Sequence, residues 1–250
     1  MRSWAVAALD LLYPALCLVC RDALGEGRRD PLCGTCWAGI TRIGPPYCVT
    51  CGVPFATFDG TGDGTGAPGP VSRCPACLAE PPAFDYARAA AQYSGPLREV
   101  LHELKFHGKR ALAAPLADLL VEQCAGALPA ASDALVPVPL GRARERERGF
   151  NQAALIAERV AGALGVPAQP RWLTRVRPTQ PQSDLGAAER QANVRNAFQA
   201  APAVAGRHLV VIDDVLTTGA TVSECARALR AAGARRVGVL TVARVVGLTL

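Results

Sequence analysis

The chain has 250 residues, half of them hydrophobic, which is enough for one or two domains with a core of ordinary size. No apolar run reaches the roughly 20 residues of a transmembrane helix, so the sequence excludes a span of that kind. The formal net charge is +6, and only two of the 27 basic residues are lysines, Lys105 and Lys109. Arginine suits bidentate binding of phosphate, which leaves polyanionic partners open, although a GC-rich genome would produce the same bias.

The first segment of the chain, residues 4–16, is rather apolar. It carries Asp10, has no basic start beyond Arg2, and runs directly into Cys17. These features favour an amphipathic helix that packs on the residues after it, and a signal peptide is the alternative.

Eight of the ten cysteines form four C-x-x-C pairs. The pairs are Cys17/Cys20, Cys33/Cys36, Cys48/Cys51 and Cys74/Cys77. Two thiolates at this spacing can face one tetrahedral ion, so the pattern predicts structural Zn²⁺, about two ions per chain, whereas disulfides would require an exported chain. We expect the first two pairs to share one ion and the last two another, with a crossed pairing as the alternative. Cys124 and Cys225 lie in helical patterns and are predicted to be buried apolar thiols.

Residues 1–83 are predicted to form a small zinc-ribbon-like domain. The segment is rich in Cys, Gly and Pro and has little periodicity, so bound metal would supply most of its folding energy, on the order of 10 kcal/mol per site. Residues 55–72 are Gly-rich without an apolar face, which indicates a flexible loop.

Residues 84–250 show alternating strand and helix patterns. Strands are predicted at 87–93, 134–138, 208–212 and 236–245, and helices at 96–105, 111–125, 152–164 and 221–232. Strands that alternate with helices indicate an α/β domain whose parallel sheet is covered on both faces.

The stretch LVVIDDVLTTGAT, residues 209–221, combines a buried strand, an acidic pair and a turn rich in Thr and Gly. The turn from Leu216 to Thr221 offers backbone N–H groups, hydroxyls and a helix N-terminus, which together suit a monophosphate. Asp213 and Asp214 repel phosphate, but they can accept hydrogen bonds from neighbouring hydroxyls. A phosphate beside a cis-diol describes a ribose 5-phosphate, and a capping Asp before a Thr-rich loop is the alternative interpretation.

This stretch resembles the PRPP-binding signature of type I phosphoribosyltransferases, where PRPP is phosphoribosyl pyrophosphate. VPVPLGRARERERGFNQ (136–152) and LTRVRPTQPQSDLGAAERQANVRNAF (173–198), behind the Cys-rich N-terminus, extend the resemblance to the ComF/GntX family over essentially the whole chain. The resemblance implies a parallel-sheet type I phosphoribosyltransferase core with an N-terminal double zinc ribbon. It also implies that Asp213 and Asp214 meet the ribose hydroxyls. The residues implied for the 5-phosphate are Leu216, Thr217, Thr218, Gly219, Ala220 and Thr221.

The resemblance also assigns roles to two arginine-rich stretches. Residues 142–148 alternate Arg and Glu after a strand, which indicates either a salt-bridged helix start or a pyrophosphate loop with Arg148 and Gly149. Residues 173–196 lack a clean period and resemble the flexible loop that closes over PRPP. Gln180, Arg190 and Asn193 match polar positions of that loop, and a plain surface loop is the alternative.

A third basic patch, residues 101–110, contains both lysines and two histidines, His102 and His107. Their spacing of five is poor for a shared metal site on a helix, so we predict that both histidines are surface residues. Contact of this patch with PRPP and contact with nucleic acid both stay open.

The resemblance implies binding of PRPP with Mg²⁺ and transfer of phosphoribose to a nitrogen nucleophile with release of pyrophosphate, in a family linked to competence and DNA uptake. The alternatives are a non-catalytic competence protein that associates with single-stranded DNA, and a PRPP sensor without turnover. The expected partners are PRPP and, for the alternative, single-stranded DNA or competence proteins. A cytoplasmic location is expected.

Overall fold

The computed structural model describes residues 16–24, 31–55, 72–128, 132–179 and 187–247. Within them lie six strands: β1 (Tyr86–Gln92), β2 (Ala134–Pro137), β3 (Leu173–Arg175), β4 (Phe198–Ala200), β5 (His208–Leu216) and β6 (Arg236–Arg244). The helices within them are α1 (Gly34–Ala38), α2 (Pro75–Ala79), α3 (Gly95–Phe106), α4 (Ala113–Cys124), α5 (Arg142–Arg148), α6 (Gln152–Leu164), α7 (Ala187–Val194) and α8 (Ala220–Ala231). The predicted helix at 4–16 and most of the Gly-rich loop lie outside the described residues.

A four-stranded parallel sheet in the order β1-β6-β5-β2 forms the centre of the core, as the alternating pattern predicts. Alternation along β5 divides its side chains between two layers. Val210 and Ile212 belong to the apolar cluster with α3, α4 and α6, whereas Leu209 and Val211 belong to the cluster with α8. Burial on both faces explains why the strand is a continuous apolar run.

Two segments differ from their predictions. Strand β5 continues through the acidic pair to Leu216, so the two acids lie within the strand and not beyond its end. The stretch 173–196 contains β3, which pairs antiparallel with β4, and α7, although its sequence shows no clean period. These elements form because they pack on the core: Leu173 and Val194 are buried in the cluster that includes α8.

The free edge of β1 is covered by the cysteine-rich segment. Ile43 N–H donates to Ala90 O, and Ala87 N–H donates to Thr50 O at 2.6 Å. This covering hides the backbone groups that an edge strand otherwise exposes. Within the described ranges, no helix has the length and hydropathy to cross a membrane.

Candidate functional site

A pocket of about 780 Å³ opens where β5 ends and the turn into α8 begins. This is the carboxyl edge of a parallel sheet, the place where ligands bind in such folds. The polar residues that line it are Lys105, Arg144, Glu147, Arg148, Gln152, Arg175, Asp213, Asp214, Thr217 and Thr221, with Tyr93. The structure therefore brings the acidic pair, the Thr-Gly turn and residues of all three basic stretches to one cavity.

The two acids of the pair have different surroundings. Asp214 is 4% exposed, and its backbone N–H donates to Asp213 Oδ1 at 2.9 Å. Burial and the adjacent carboxylate raise the pKa of Asp213 to about 8, against the opposing charge of Lys105. The pair thus carries less negative charge near neutral pH than two isolated aspartates would.

Lys105, in the last turn of α3, supplies the positive charge nearest to the pair. Its Nζ lies 2.9 Å from Asp214 Oδ2. Burial disfavours the charged amine, but the attraction to Asp214 outweighs it and raises the pKa of Lys105. The amine is therefore an integral part of the site, which the sequence did not indicate because it placed Lys105 in a patch without a definite role.

The turn after β5 has the geometry of an anion-binding helix start. Gly219 has φ of +82°, a left-handed conformation that favours glycine, and it precedes the first residue of α8. The first N–H groups of a helix have no carbonyl one turn earlier to bind. Thr217, Gly219 and Thr221 line the pocket, whereas the hydroxyl of Thr218 accepts a hydrogen bond from Ala220 N–H at 3.4 Å.

Three arginines converge on the pocket from α5 and β3. Arg148 Nη1 donates to Gln152 Oε1 at 2.6 Å, and its guanidinium lies 5.6 Å from the ring centre of Phe106. Arg144 Nη2 and Arg175 Nε are buried and have no hydrogen-bond partner within the described residues. Burial and the nearby charge of Arg144 lower the pKa of Arg175. Neighbouring guanidinium groups with unused donors suit an anionic ligand.

The other predicted residues of the arginine-rich stretches do not line the pocket or lie outside the described residues. Residues 142–148 form the helix that was one of the two alternatives, and only its inner side reaches the pocket. Gly149 ends that helix with φ of +75°, so its conformation accounts for the glycine. Gln180 lies outside the described residues, as does the side chain of Arg190 on α7. The histidines at 102 and 107 are exposed, as predicted.

The cysteine pairs form two groups, Cys17/Cys20/Cys33/Cys36 and Cys48/Cys51/Cys74/Cys77, and within each group all four sulfurs lie within 4.8 Å of one another. The sulfurs of a tetrahedral zinc site are about 3.8 Å apart, since each lies about 2.3 Å from the ion. Each group therefore fits one structural zinc ion, and the predicted pairing is confirmed over the crossed one. Cys124 and Cys225 are buried in the core, as predicted.

The second cysteine group is tied to the sheet by Arg244, the last residue of β6. Its guanidinium donates to Cys51 O at 2.7 Å and lies 3.5 Å from Cys51 Sγ. Arg244 is aligned with Leu216 of β5, and the N–H of Val245 donates to Leu216 O at 2.9 Å. The second cysteine group and the start of the Thr-Gly turn therefore both contact the end of β6.

Comparison with known proteins finds two family models that match separate parts of the chain. A double zinc ribbon domain matches residues 8–78, and a phosphoribosyl transferase domain matches residues 151–246. The DNA utilization protein YhgH of Salmonella typhimurium is 35% identical over 238 residues, which span 94% of this chain and 99% of that protein. Competence protein F of Haemophilus influenzae is 30% identical over 238 residues, which span 91% of this chain and 96% of that protein.

Among solved structures, the chain is similar to the glutamine PRPP amidotransferase of B. subtilis. The match is 24% identical and covers 52% of this chain and 26% of that one, with a TM-score of 0.37.

Proposed function

The chain belongs to the ComF family, and from that premise we propose that it binds PRPP in the pocket at the end of β5 and transfers the phosphoribosyl group to a nitrogen nucleophile. One observation carries the proposal: the acidic pair, the Thr-Gly turn and a set of partly unpaired arginines line a single cavity of about 780 Å³. A ribose with a phosphate at one end and a diphosphate at the other presents matching groups in that order.

In the proposed complex the turn from Leu216 to Thr221 binds the 5-phosphate, and Asp213 and Asp214 accept hydrogen bonds from the ribose hydroxyls. Arg144, Arg148 and Arg175 bind the diphosphate. The unused donors of Arg144 and Arg175 support this last assignment, because a buried guanidinium nitrogen without an acceptor is costly.

The proposed reaction is a displacement at the anomeric carbon C1 of the ribose. The lone pair of the acceptor nitrogen forms a bond to C1, the bond from C1 to the diphosphate oxygen breaks, and pyrophosphate leaves with that electron pair. The nitrogen, which then carries a positive charge, releases its proton to solvent. Positive charge develops on the sugar ring, so the carboxylates stabilise it while the arginines stabilise the leaving group. Mg²⁺ bound to the diphosphate of PRPP would neutralise part of the charge of the leaving group, beside Arg144, Arg148 and Arg175.

We also propose that the chain forms two domains with different roles, residues 1–83 and residues 84–250. The two cysteine groups each hold a zinc ion that stabilises the first domain, and the second domain carries the pocket. A role in competence or DNA uptake completes the proposal on the basis of what the relatives are named, and a cytoplasmic location is proposed with it.

Titration calorimetry of the zinc-loaded protein with PRPP, with and without Mg²⁺, tests the binding step. Ribose 5-phosphate and pyrophosphate, titrated separately, should each bind more weakly than PRPP, because each contacts only part of the pocket. Release of pyrophosphate with a panel of amines and bases then tests transfer. Binding of PRPP without release of pyrophosphate for any acceptor would support the alternative of a PRPP sensor without turnover. No binding of PRPP would refute the proposal.

A second candidate function, association with single-stranded DNA, is favoured by the opposite end of the sheet. Exposed Arg207 lies 5.1 Å from the ring centre of Trp172, and exposed Arg236 lies 5.3 Å from that of Tyr86. The N–H of Arg235 donates to Arg207 O, so the loops that carry these arginines adjoin. Exposed arginines suit the phosphate backbone of a single strand, and the half-buried ring of Trp172 offers a partial stacking surface beside them, whereas the ring of Tyr86 is buried.

Salt dependence separates the two functions. Binding of a fluorescent oligonucleotide should weaken steeply between about 50 and 200 mM salt if arginines neutralise its phosphates. The double variant Arg207→Gln, Arg236→Gln should reduce that binding without changing PRPP affinity. An unchanged oligonucleotide affinity in this variant would contradict the assigned surface.

A further inference from the structure

We propose that Lys105 is a positioning residue that holds the carboxylate of Asp214 as an acceptor for a ribose hydroxyl, an inference that rests on the proposed PRPP site. Its amine does not need to touch PRPP in order to act. It acts through Asp214, whose carboxylate it contacts at 2.9 Å.

The packing of α3 fixes the position of the amine. Leu101 and Leu104 of that helix are fully buried in the core, so the helix cannot shift freely against the sheet. The side chain of Lys105 is 21% exposed and that of Asp214 is 5% exposed. An ion pair this well shielded from water is screened much less than a surface pair.

The second acid makes this cation necessary. Asp213 is adjacent to Asp214 in β5, and the two repel each other when both are ionised. Two interacting carboxyl groups lose their protons in two steps that belong to the pair. Without a nearby cation the pair retains a proton over a wider pH range, and a protonated carboxyl offers a weaker acceptor than a carboxylate does.

Other charged and titratable groups also surround the pair, so the effect of Lys105 must be separated from theirs. Arg148 of α5 acts on Asp214, and Arg175 of β3 acts on Asp213. The remaining two are Tyr93, which acts on Lys105, and Cys225 of α8, beside Asp213. Among the described ion pairs, Lys105 is the one cation in direct contact with an oxygen of Asp213 or Asp214.

The chain contains its own control. Lys109, the other lysine, lies four residues further on, is exposed, and does not line the pocket. A general effect of lost positive charge would appear in Lys105→Met and Lys109→Met alike. A local effect on Asp214 would appear only in the first and would be reversed in Lys105→Arg.

The first experiment follows the carbon-13 carboxyl resonances of Asp213 and Asp214 against pH in the zinc-loaded protein without PRPP, assigned with the single Asn variants. In Lys105→Met the pair should keep its proton to a pH at least about one unit higher, with Lys105→Arg and Lys109→Met close to wild type. Unchanged midpoints in Lys105→Met would overturn the inference. Circular dichroism checks folding, and Lys105→Gln replaces the Met variant if that variant unfolds.

The second experiment measures PRPP affinity between pH 6 and pH 9. Lys105→Met should bind about tenfold more weakly than wild type at pH 7, and the deficit should shrink as pH rises and the acids ionise without help. A deficit that is equal at every pH would mean direct contact between the amine and PRPP and would overturn the positioning role. Failure of the wild type to bind PRPP would refute the proposed function, and the carboxyl titration would still decide the electrostatic role of Lys105.

Discussion

The cysteine-rich segment and the α/β core stay folded by different means. In the first, the described helices are only five residues long, and the buried apolar residues are cysteines together with Leu32, Trp37, Ile40 and Ile43. In the second, nine-residue strands are buried on both faces by helices. The comparison indicates that the second region is held by apolar burial, whereas the first buries less and, on our proposal, also needs metal. The two regions meet along β1 and at Arg244.

Removal of one zinc ligand should give the largest effect. Cys48→Ser takes a fully buried sulfur from the second group, and we expect the loss of about one zinc ion per chain and of unfolding free energy on the order of 4 kcal/mol. Elemental analysis and urea unfolding measure both quantities. Cys20→Ser, at an exposed position of the first group, should cost less stability. Full zinc content in Cys48→Ser would contradict the metal assignment.

The second largest effect is expected from adding a methyl group at the contact between the two regions. Gly52 has φ of +71°, and a Cβ there would lie 2.4 Å from Ala87 O of β1. Gly52→Ala should therefore lower the unfolding free energy by about 2 kcal/mol or more. The control is Gly44→Ala, where a Cβ meets nothing within 4 Å and little change is expected. Equal urea midpoints for the two variants would show that the regions do not meet as described.

The arginine that joins the regions should have a smaller effect. Arg244→Met removes the hydrogen bonds to Cys51, and we expect a loss of about 1.5–3 kcal/mol in unfolding free energy. Because the same strand end supports Leu216, PRPP affinity should also fall a few-fold. Arg236→Met, at the exposed opposite end of β6, should stay within about 0.5 kcal/mol of wild type. Thermal unfolding and calorimetry distinguish the two variants.

The core should show a pH dependence that metal does not govern. Since the folded-state pKa of Asp213 is raised to about 8 from 3.8, the folded state binds this proton more tightly. That contribution to stability is complete below about pH 4 and is lost as pH rises toward about 8. The difference in Tm between Asp213→Asn and wild type should therefore shift in favour of the variant when the pH is raised from 5 to 9. A difference independent of pH would contradict the raised pKa.

Much of the architecture could be predicted because local patterns determine it. The C-x-x-C spacing indicated two metal groups, and periodicity indicated the strands and helices of the core. The stretch 209–221 indicated that acids and a phosphate-binding turn would adjoin, because strand, acids and turn are consecutive in the chain. The strand and helix within 173–196 could not be predicted from the sequence, because they form through packing of Leu173 and Val194 on the core.

The partners of the acids could not be predicted, since they come from distant parts of the chain. Lys105 reaches Asp214 across more than 100 residues, and only its rarity as a lysine set it apart in the sequence. Arg175 and Arg144 approach each other because the β3–β4 pair and the short helix α5 pack at the same edge of the sheet. Charge contacts between layers depend on tertiary packing, which no local pattern encodes.

Calorimetric titration of PRPP with Mg²⁺ into wild-type protein and into the double variant Asp213→Asn, Asp214→Asn tests the central claim most directly. Both variant side chains are close to the native size, and thermal unfolding verifies that the variant is folded. The account predicts magnesium-dependent binding to the wild type and no measurable binding to the folded variant. Equal affinity in the two proteins would contradict the assignment of the acidic pair to the ribose.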